Sequence, residues 1–508
     1  MPSYVSFDSP AGRWVLGVTV AGSGIAFLES TVVNIALPTI GEDLGAGVNG
    51  LQWIVNGYLL TVAALILLGG ALGDRYGRRR MFIVGIVWFT LASALCALAP
   101  TVEVLIAARI LQGVGGAILT PGSLAIIEAS FEPGDRARAI GAWSALGGAA
   151  AAVGPLVGGY LIDAVGWRSI FLINLPIGAA VVVAALRHVP ESLNPAMGDS
   201  LDLSGSLLAV VGLAGVTFGL IQFGVEGASE PLAAVAMAIG VTAIAGFVLV
   251  ERRGRSPMLP LEIFRSDQFV AANAVTFVVY GAFGAVFFLL VLVLQNALGY
   301  SPIAAGAASL PITALLLLFS ARAGALAQRI GPRIPLTVGP LLIAVGMLLM
   351  TRIDAESSYL GGVLPAMIVF GLGLAATVAP ITATALAAAQ ERHAGVASGV
   401  NNAVSRTAQL IAVAALPLIV GLSGSDYENP TALTDGFHTA MVISAIAAAL
   451  GGLLAWLTID DDVLERELGD GPIIPERHCA VAGTPLTEPV GATGRGTDPA
   501  APSGAENR

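Results

Sequence analysis

The sequence predicts an all-α polytopic membrane protein with 14 transmembrane helices in a 6+2+6 order, and three observations predict it. Of 508 residues, 56% are hydrophobic and only 11% are charged, with a mean hydropathy of +0.84. A soluble domain cannot cover its surface with so little charge. Uncharged apolar runs of about 20 residues recur along the chain, each long enough to cross roughly 30 Å of hydrocarbon as a helix. Finally, GALGDRYGRR from Gly70 returns as GALAQRIGPR from Gly324, pairing Gly70 with Gly324, Arg75 with Arg329, Gly77 with Gly331 and Arg79 with Arg333. Both copies follow the second span of a six-span group, so the chain reads as two similar bundles with an insert between them.

The first bundle, residues 1–190, holds spans at 14–37, 51–72, 81–98, 104–127, 140–162 and 170–186. The run from Trp14 is too long for the core of a signal peptide and lacks a convincing cleavage site, so it reads as a retained span. The insert, 191–267, adds spans at 203–223 and 232–250. The second bundle, 268–459, holds spans at 270–294, 304–327, 334–350, 360–386, 396–422 and 437–457. Residues 460–508 turn polar and rich in Pro, Gly, Thr and Ala; such a segment cannot bury a core and is expected to be disordered. The 63 glycines suit the spans, because small residues let transmembrane helices approach closely.

Arginine placement sets the orientation. Arg75, Arg78, Arg79 and Arg80 follow span two, Arg136 and Arg138 follow span four, Arg252, Arg253, Arg255 and Arg265 follow span eight, and Arg329 and Arg333 follow span ten. The alternate loops carry only Arg168 and Arg352. Short Arg-rich loops stay in the cytoplasm, so both termini are expected there, as an even number of spans requires. The expected place is the cell membrane, with the lipid bilayer as constant partner.

Composition excludes several classes. All 24 basic residues are Arg, so the Lys of a nucleotide-binding phosphate loop is absent and the chain does not itself burn ATP that way. A net charge of -10 argues against a nucleic-acid partner. Cys96 lies in an apolar segment and Cys479 in the tail, so no disulfide framework is implied. His188, His393, His438 and His478 are read as lying in loops or tail, and no metal site or cofactor is expected. No nucleophile elbow, metal cluster or large soluble domain supports an enzyme or a receptor.

GGALGDRYGRRR at 69–80 resembles the signature loop between helices two and three of the major facilitator superfamily. LESTVVNIALP from Leu28, RILQGVGGAILTPGS from Arg109, GGAAAAVGPLVGG from Gly147 and WRSIFLINLPIG from Trp167 resemble motifs of its fourteen-helix drug–proton antiporter branch. The resemblance extends to the start of the polar tail. It departs at Glu29, where that branch usually carries Asp. The resemblance implies the major facilitator fold and a proton-coupled exporter of small amphipathic drugs or toxic compounds, working by alternating access as a monomer. A dedicated exporter of one endogenous metabolite or lipid is the alternative, and a non-transporting membrane enzyme or receptor the remote one.

Certain residues then stand out. Glu29 lies inside the first span, where an ionised carboxylate costs about 3 kcal/mol on insertion scales; it is either a proton carrier or a paired structural acid. Arg109 cannot discharge itself and needs an anion or a ring of carbonyls. Glu29 stands nine positions before Pro38 and Arg109 nine after Pro100, so at about 1.5 Å per residue their heads share a depth. Coupling between them is expected, directly or through Gln112 or water. Asn34, Asn273, Tyr280, Asn401, Asn402, Arg406 and Gln409 are polar candidates for a cavity wall; Arg406 faces either the cavity or backbone carbonyls. Phe283, Phe287 and Phe288 read as an aromatic wall or as lipid-facing or core packing. The resemblance implies a cytoplasmic gate of Asp74, Arg75 and Arg78, with Glu128 placed to receive Arg78. Gly154, Pro155, Gly158 and Gly159 match the helix-five antiporter motif, a flexing interface or tight packing alone.

Overall fold

The computed structural model describes residues 4–193, 202–225, 229–254, 257–389 and 394–464. Sixteen α-helices follow one another: α1 Pro10–Leu44, α2 Val48–Tyr76, α3 Arg78–Ala97, α4 Val102–Ser130, α5 Pro133–Val165, α6 Ser169–Leu172, α7 Asn174–His188, α8 Leu203–Phe223, α9 Glu230–Arg253, α10 Asp267–Leu292, α11 Pro302–Ala308, α12 Leu310–Ile330, α13 Arg333–Met350, α14 Leu364–Ala387, α15 Ala394–Ile419 and α16 Pro430–Thr458. Among the described residues the only β contact is an isolated bridge between Val5 and Phe131. Among the described residues thirteen helical stretches are long and apolar enough to cross a bilayer. The 33-residue α5 is the remaining long helix, with an apolar stretch at Val153–Val165 among its described residues.

Local chemistry sets the helix ends. The Ser9 hydroxyl accepts from Gly12 N at the start of α1, with Pro10 at the first helical position, where its missing N–H leaves nothing unpaired. Thr101, Ser266 and Asn429 cap α4, α10 and α16 in the same way. Gly77 (φ 106) and Gly331 (φ 83) turn the chain between the second and third long helices of each bundle, a conformation that favours glycine. A carboxylate sits against each: Glu191 beside Gly77, where it accepts from the N–H groups of Arg79 and Arg80, and Asp461 beside Gly331.

Helices pair where side chains are missing. A Cβ on Gly115 of α4 would lie 2.6 Å from Phe89 N of α3, and one on Gly346 of α13 would lie 2.6 Å from Phe370 N of α14. Such backbone approaches replace the hydrophobic drive that hydrocarbon cannot supply. The inserted α8 and α9 pair through Gly215 and Gly240, and α8 lies against both α2 and α15, bridging the bundles. Leu91, Leu207, Leu360 and Leu457 point outward, as a lipid-facing surface requires.

The end carrying Pro38 and the 45–47 turn is closed between the bundles. Val48 N donates to Gly424 O at 2.8 Å, and Gln52 Nε2 donates to the carbonyls of Val413 (2.8 Å) and Ala414 (3.1 Å). Gln295 Nε2 donates to Ile35 O at 2.8 Å, and Ile303 N to Asp163 Oδ2 at 3.1 Å. One buried apolar cluster runs through this seam, from Val33 and Ile40 to Leu290, Val413 and Leu422.

Two expectations change here. His438 lies within α16, its Nε2 donating to Ile353 O at 2.8 Å, and His188 ends α7; neither is a loop residue. A lone polar ring is tolerated in a span when a carbonyl satisfies it. Arg255, His393, His478 and Cys479, and the tail from 465 onward, fall outside the described residues.

Candidate functional site

Glu29 of α1 is fully buried, and its Oε1 accepts from Arg109 Nη1 of α4 at 2.8 Å. Arg109 Nη1 also donates to Gln112 Oε1 at 2.6 Å, its Nε donates to Ile54 O at 3.1 Å, and its guanidinium lies 4.5 Å from the centre of the Tyr58 ring. Asn174 Nδ2 of α7 donates to the second carboxylate oxygen at 2.8 Å and to Ser93 Oγ of α3 at 3.0 Å. Gln112 Nε2 donates to the same hydroxyl at 2.6 Å. Four helices of the first bundle therefore converge on one carboxylate. Both carboxylate oxygens, and the Nε and Nη1 of the guanidinium, have hydrogen-bond partners, which favours a pair buried in a low dielectric.

Arg109 also reaches a cavity of about 320 Å³ between the bundles; Glu29 lies behind it, off the wall. The first bundle contributes Ser30, Thr31, Asn34 and Tyr58, and the second contributes Tyr280, Phe283, Phe287, Phe288, Asn402, Arg406 and Gln409. The wall is thus hydroxyl-rich on one side and aromatic on the other. Phe283 and Phe287 have ring centres 4.5 Å apart, and Phe283 lies parallel to Phe370 behind it at 6.5 Å. Phe283 and Phe287 are cavity residues, not lipid contacts, whereas Phe288 is almost entirely buried as it touches the same space.

Not every candidate lies on this wall. Asn273 and Asn401 are packed between α10 and α15: Asn401 Nδ2 donates to Asn273 Oδ1 (3.2 Å) and Thr276 Oγ1 (3.0 Å), and Asn273 Nδ2 donates to Phe269 O (2.9 Å). They hold two helices together because each satisfies the other. Gln112 likewise belongs to the buried network. At the opposite end of the first bundle, Arg78 pairs with Asp74 (2.8 Å) and donates to Ala125 O (3.1 Å). Among the described residues no ion pair joins Arg78 to the partly buried Glu128; Asp74, at the end of α2 across the Gly77 turn, is its partner. Arg75 lies with its guanidinium over the Tyr76 ring.

The helix-five glycines are contact points. Gly154 meets Thr31 Oγ1 of α1, and a Cβ on Gly158 would lie 2.6 Å from Val32 Cγ1. A Cβ on Gly159 would lie 2.5 Å from Pro302 O and 2.6 Å from Ile303 Cα in the second bundle, and Pro155 O abuts Gly306. The helix continues through Pro155.

Sequence reading missed Ser93, Tyr58 and Asn174, and a second buried acid. Glu251 of α9 is only 3% exposed; its Oε2 accepts from Leu259 N at 2.9 Å. Its Oε1 and Asp202 Oδ2 have no hydrogen-bond partner and both crowd the Cβ position of Gly205, at 2.8 and 2.5 Å, while Asp202 Oδ1 caps α8 through Gly205 N. Asn174 was within the quoted WRSIFLINLPIG stretch, and its amide at a helix start inside a span was the available signal.

A family model of the Major Facilitator Superfamily matches residues 19–413. The chain is 37% identical over 399 residues to the multidrug resistance protein Stp of Mycobacterium tuberculosis, covering 78% of this chain and 74% of that one. It is 38% identical over 454 residues to the probable actinorhodin transporter of Streptomyces coelicolor, covering 86% and 78%. Among solved structures, the POT family transporter PepTSo matches with a TM-score of 0.64 at 15% identity, covering 90% of this chain and 99% of that one, a likeness of fold. These findings make the chain a member of the Major Facilitator Superfamily.

Proposed function

We propose that the chain is a proton-coupled exporter of small amphipathic drugs or toxic compounds, working by alternating access. The observation that carries this reading is the cavity between the bundles, with Arg109 on its wall and Glu29 directly behind. Relatives named for multidrug resistance and for antibiotic transport support the cargo class. The family consists of transporters, so no catalysis is invoked. We further infer 14 spans, counting α5 as the fifth, with both termini cytoplasmic, in the cell membrane, and a monomeric unit.

Glu29 holds Arg109 through one charged hydrogen bond. A proton placed on the carboxylate removes that charge, and Arg109 is then held only by Gln112, Ile54 O and the Tyr58 ring. The guanidinium becomes free to turn toward the cavity, which favours one orientation of the bundles. Asp74 with Arg75 and Arg78 would fasten the cytoplasmic ends when the outer seam opens, and Gly154 to Gly159 form the surface on which α5 slides against both bundles. A proton entering across 100 mV supplies about 2.3 kcal/mol, before any pH gradient. The test is dye efflux from vesicles under an imposed pH gradient, wild type against Glu29→Gln. Unchanged gradient-driven efflux in the variant removes Glu29 from the coupling.

The second reading, a dedicated exporter of one endogenous metabolite, is favoured by the relative named a probable actinorhodin transporter. A pump that moves one compound of its own host and none of a panel of unrelated drugs would establish it.

A further inference from the structure

We propose that this exporter takes aromatic monoanions, amphipathic carboxylates or phenolates, and that Arg406 of α15 receives their charge. The inference rests on the export reading above and adds the substrate class. Arg406 lines the cavity, and among the described residues it makes no hydrogen bond and no ion pair. A guanidinium cannot relieve this by losing its proton. The other charged residue on the wall is Arg109, and its charge is matched by Glu29 at 2.8 Å. Among the described residues no carboxylate lies on the wall itself. The phenols of Tyr58 and Tyr280 share the wall with Arg406, but neutral dipoles do not cancel its charge. The cavity wall therefore carries one positive charge with no acid paired to it.

What complements such a site follows from its neighbours. Phe283 and Phe287 stand on the same side as Arg406, their ring centres 4.5 Å apart, offering faces and edges to a flat apolar body. A carboxylate or phenolate accepts from the guanidinium's fork, which suits planar oxyanions better than a point charge does. An organic cation of the same shape meets repulsion from Arg406 with no acid on the wall to offset it. Transport energetics agree: an inside-negative potential moves an anion outward. Arg406 stands on the second bundle, and Glu29 with Arg109 on the first. The anion therefore does not take the proton's place, and their exchange rests on which loaded forms can close the cavity.

Three naphthalene probes of one shape and three charges test this: 2-naphthoate, 2-naphthylmethanol and 2-naphthylmethylammonium. Equilibrium binding to the full chain in lipid nanodiscs, and efflux from proteoliposomes, are measured for wild type, Arg406→Gln and Arg406→Lys. The expected result is that wild type prefers naphthoate over both others by about tenfold or more, the scale of a charge-assisted hydrogen bond. Arg406→Gln should lose that preference while still binding the alcohol, and Arg406→Lys should retain part of it. If wild type binds and exports the alcohol or the ammonium as well as naphthoate, or if Arg406→Gln leaves naphthoate affinity within about twofold, the anion inference is overturned and the export reading stands. If none of the three is bound or exported by wild type, both fall.

Discussion

Replacing Glu29 by Gln is the sharpest perturbation of the proposed coupling. Removing one partner of a buried ion pair typically costs about 3–5 kcal/mol, because the survivor is left charged and alone. The amide limits that loss. Its carbonyl still accepts from Arg109, whose Nη1 donates to Gln112 and whose Nε donates to Ile54 O. Its nitrogen would meet Asn174 Nδ2 donor to donor, but Asn174 Oδ1 has no partner, and rotation of that amide turns an acceptor toward the new group. The stability loss should therefore be about 1–3 kcal/mol, the worth of a charged hydrogen bond, and the protein should still reach the membrane. Coupling should vanish. One proton entering across 100 mV sustains a cargo ratio of about 50-fold, since 1.4 kcal/mol is a factor of ten. Vesicles carrying the variant should relax to a ratio near one under the same gradient, while exchange of labelled for unlabelled cargo continues. A plateau ratio equal to wild type would refute the argument outright.

Other outcomes can be stated more briefly. Arg109→Ala leaves Glu29 buried without its cation and should lower stability by about 3–5 kcal/mol, read as a fall in Tm of the purified protein; Glu29→Gln in the same chain should recover part of it. Gly159→Val places side-chain atoms where Pro302 and Ile303 already sit, so the outer seam should spend more time open, visible as longer spin-label distances between the 45–47 and 424 turns. Asp74→Asn removes the charge that holds Arg78 and should reduce transport several-fold with unchanged membrane abundance; undiminished transport would sink the gate. Glu251→Gln lets an amide nitrogen donate to Asp202 Oδ2, where two acceptors now face each other, and should raise stability by about 1 kcal/mol in thermal unfolding.

Much of the architecture was legible because the bilayer enforces it. Apolar runs must be helices, and Arg-rich loops mark one face. The helices exceed the runs read from sequence, α1 spanning Pro10–Leu44 against an expected 14–37, because helix geometry continues past the apolar stretch until a cap or a glycine such as Gly45 (φ 64) ends it. The nearness of Glu29 and Arg109 followed from counting residues inward from Pro38 and Pro100. The rest of that network was hidden for a physical reason. Ser93 and Asn174 carry no charge, so their burial gives no warning, and their approach depends on how α3 and α7 rotate about their axes. The same rotation placed Asn402 on the cavity while Asn401, one residue away, turned into the contact with α10. Arg78 pairs with Asp74 rather than Glu128 because the tight turn at Gly77 sets the start of α3 beside the end of α2.

Among the described residues the seam at the Pro38 end is shut by few polar ties, and their number sets the polar share of the conformational switch. Among the described residues four donors cross it: Val48 N, Gln52 Nε2, Gln295 Nε2 and Ile303 N. Exchanged for water on opening, each is worth about 1 kcal/mol, so the polar latch holds with about 4 kcal/mol in all. That is less than two protons yield in falling through 100 mV. On the coupling proposed above, the polar part of the latch is within reach of an ion gradient, and the apolar cluster around it carries the rest of the seal.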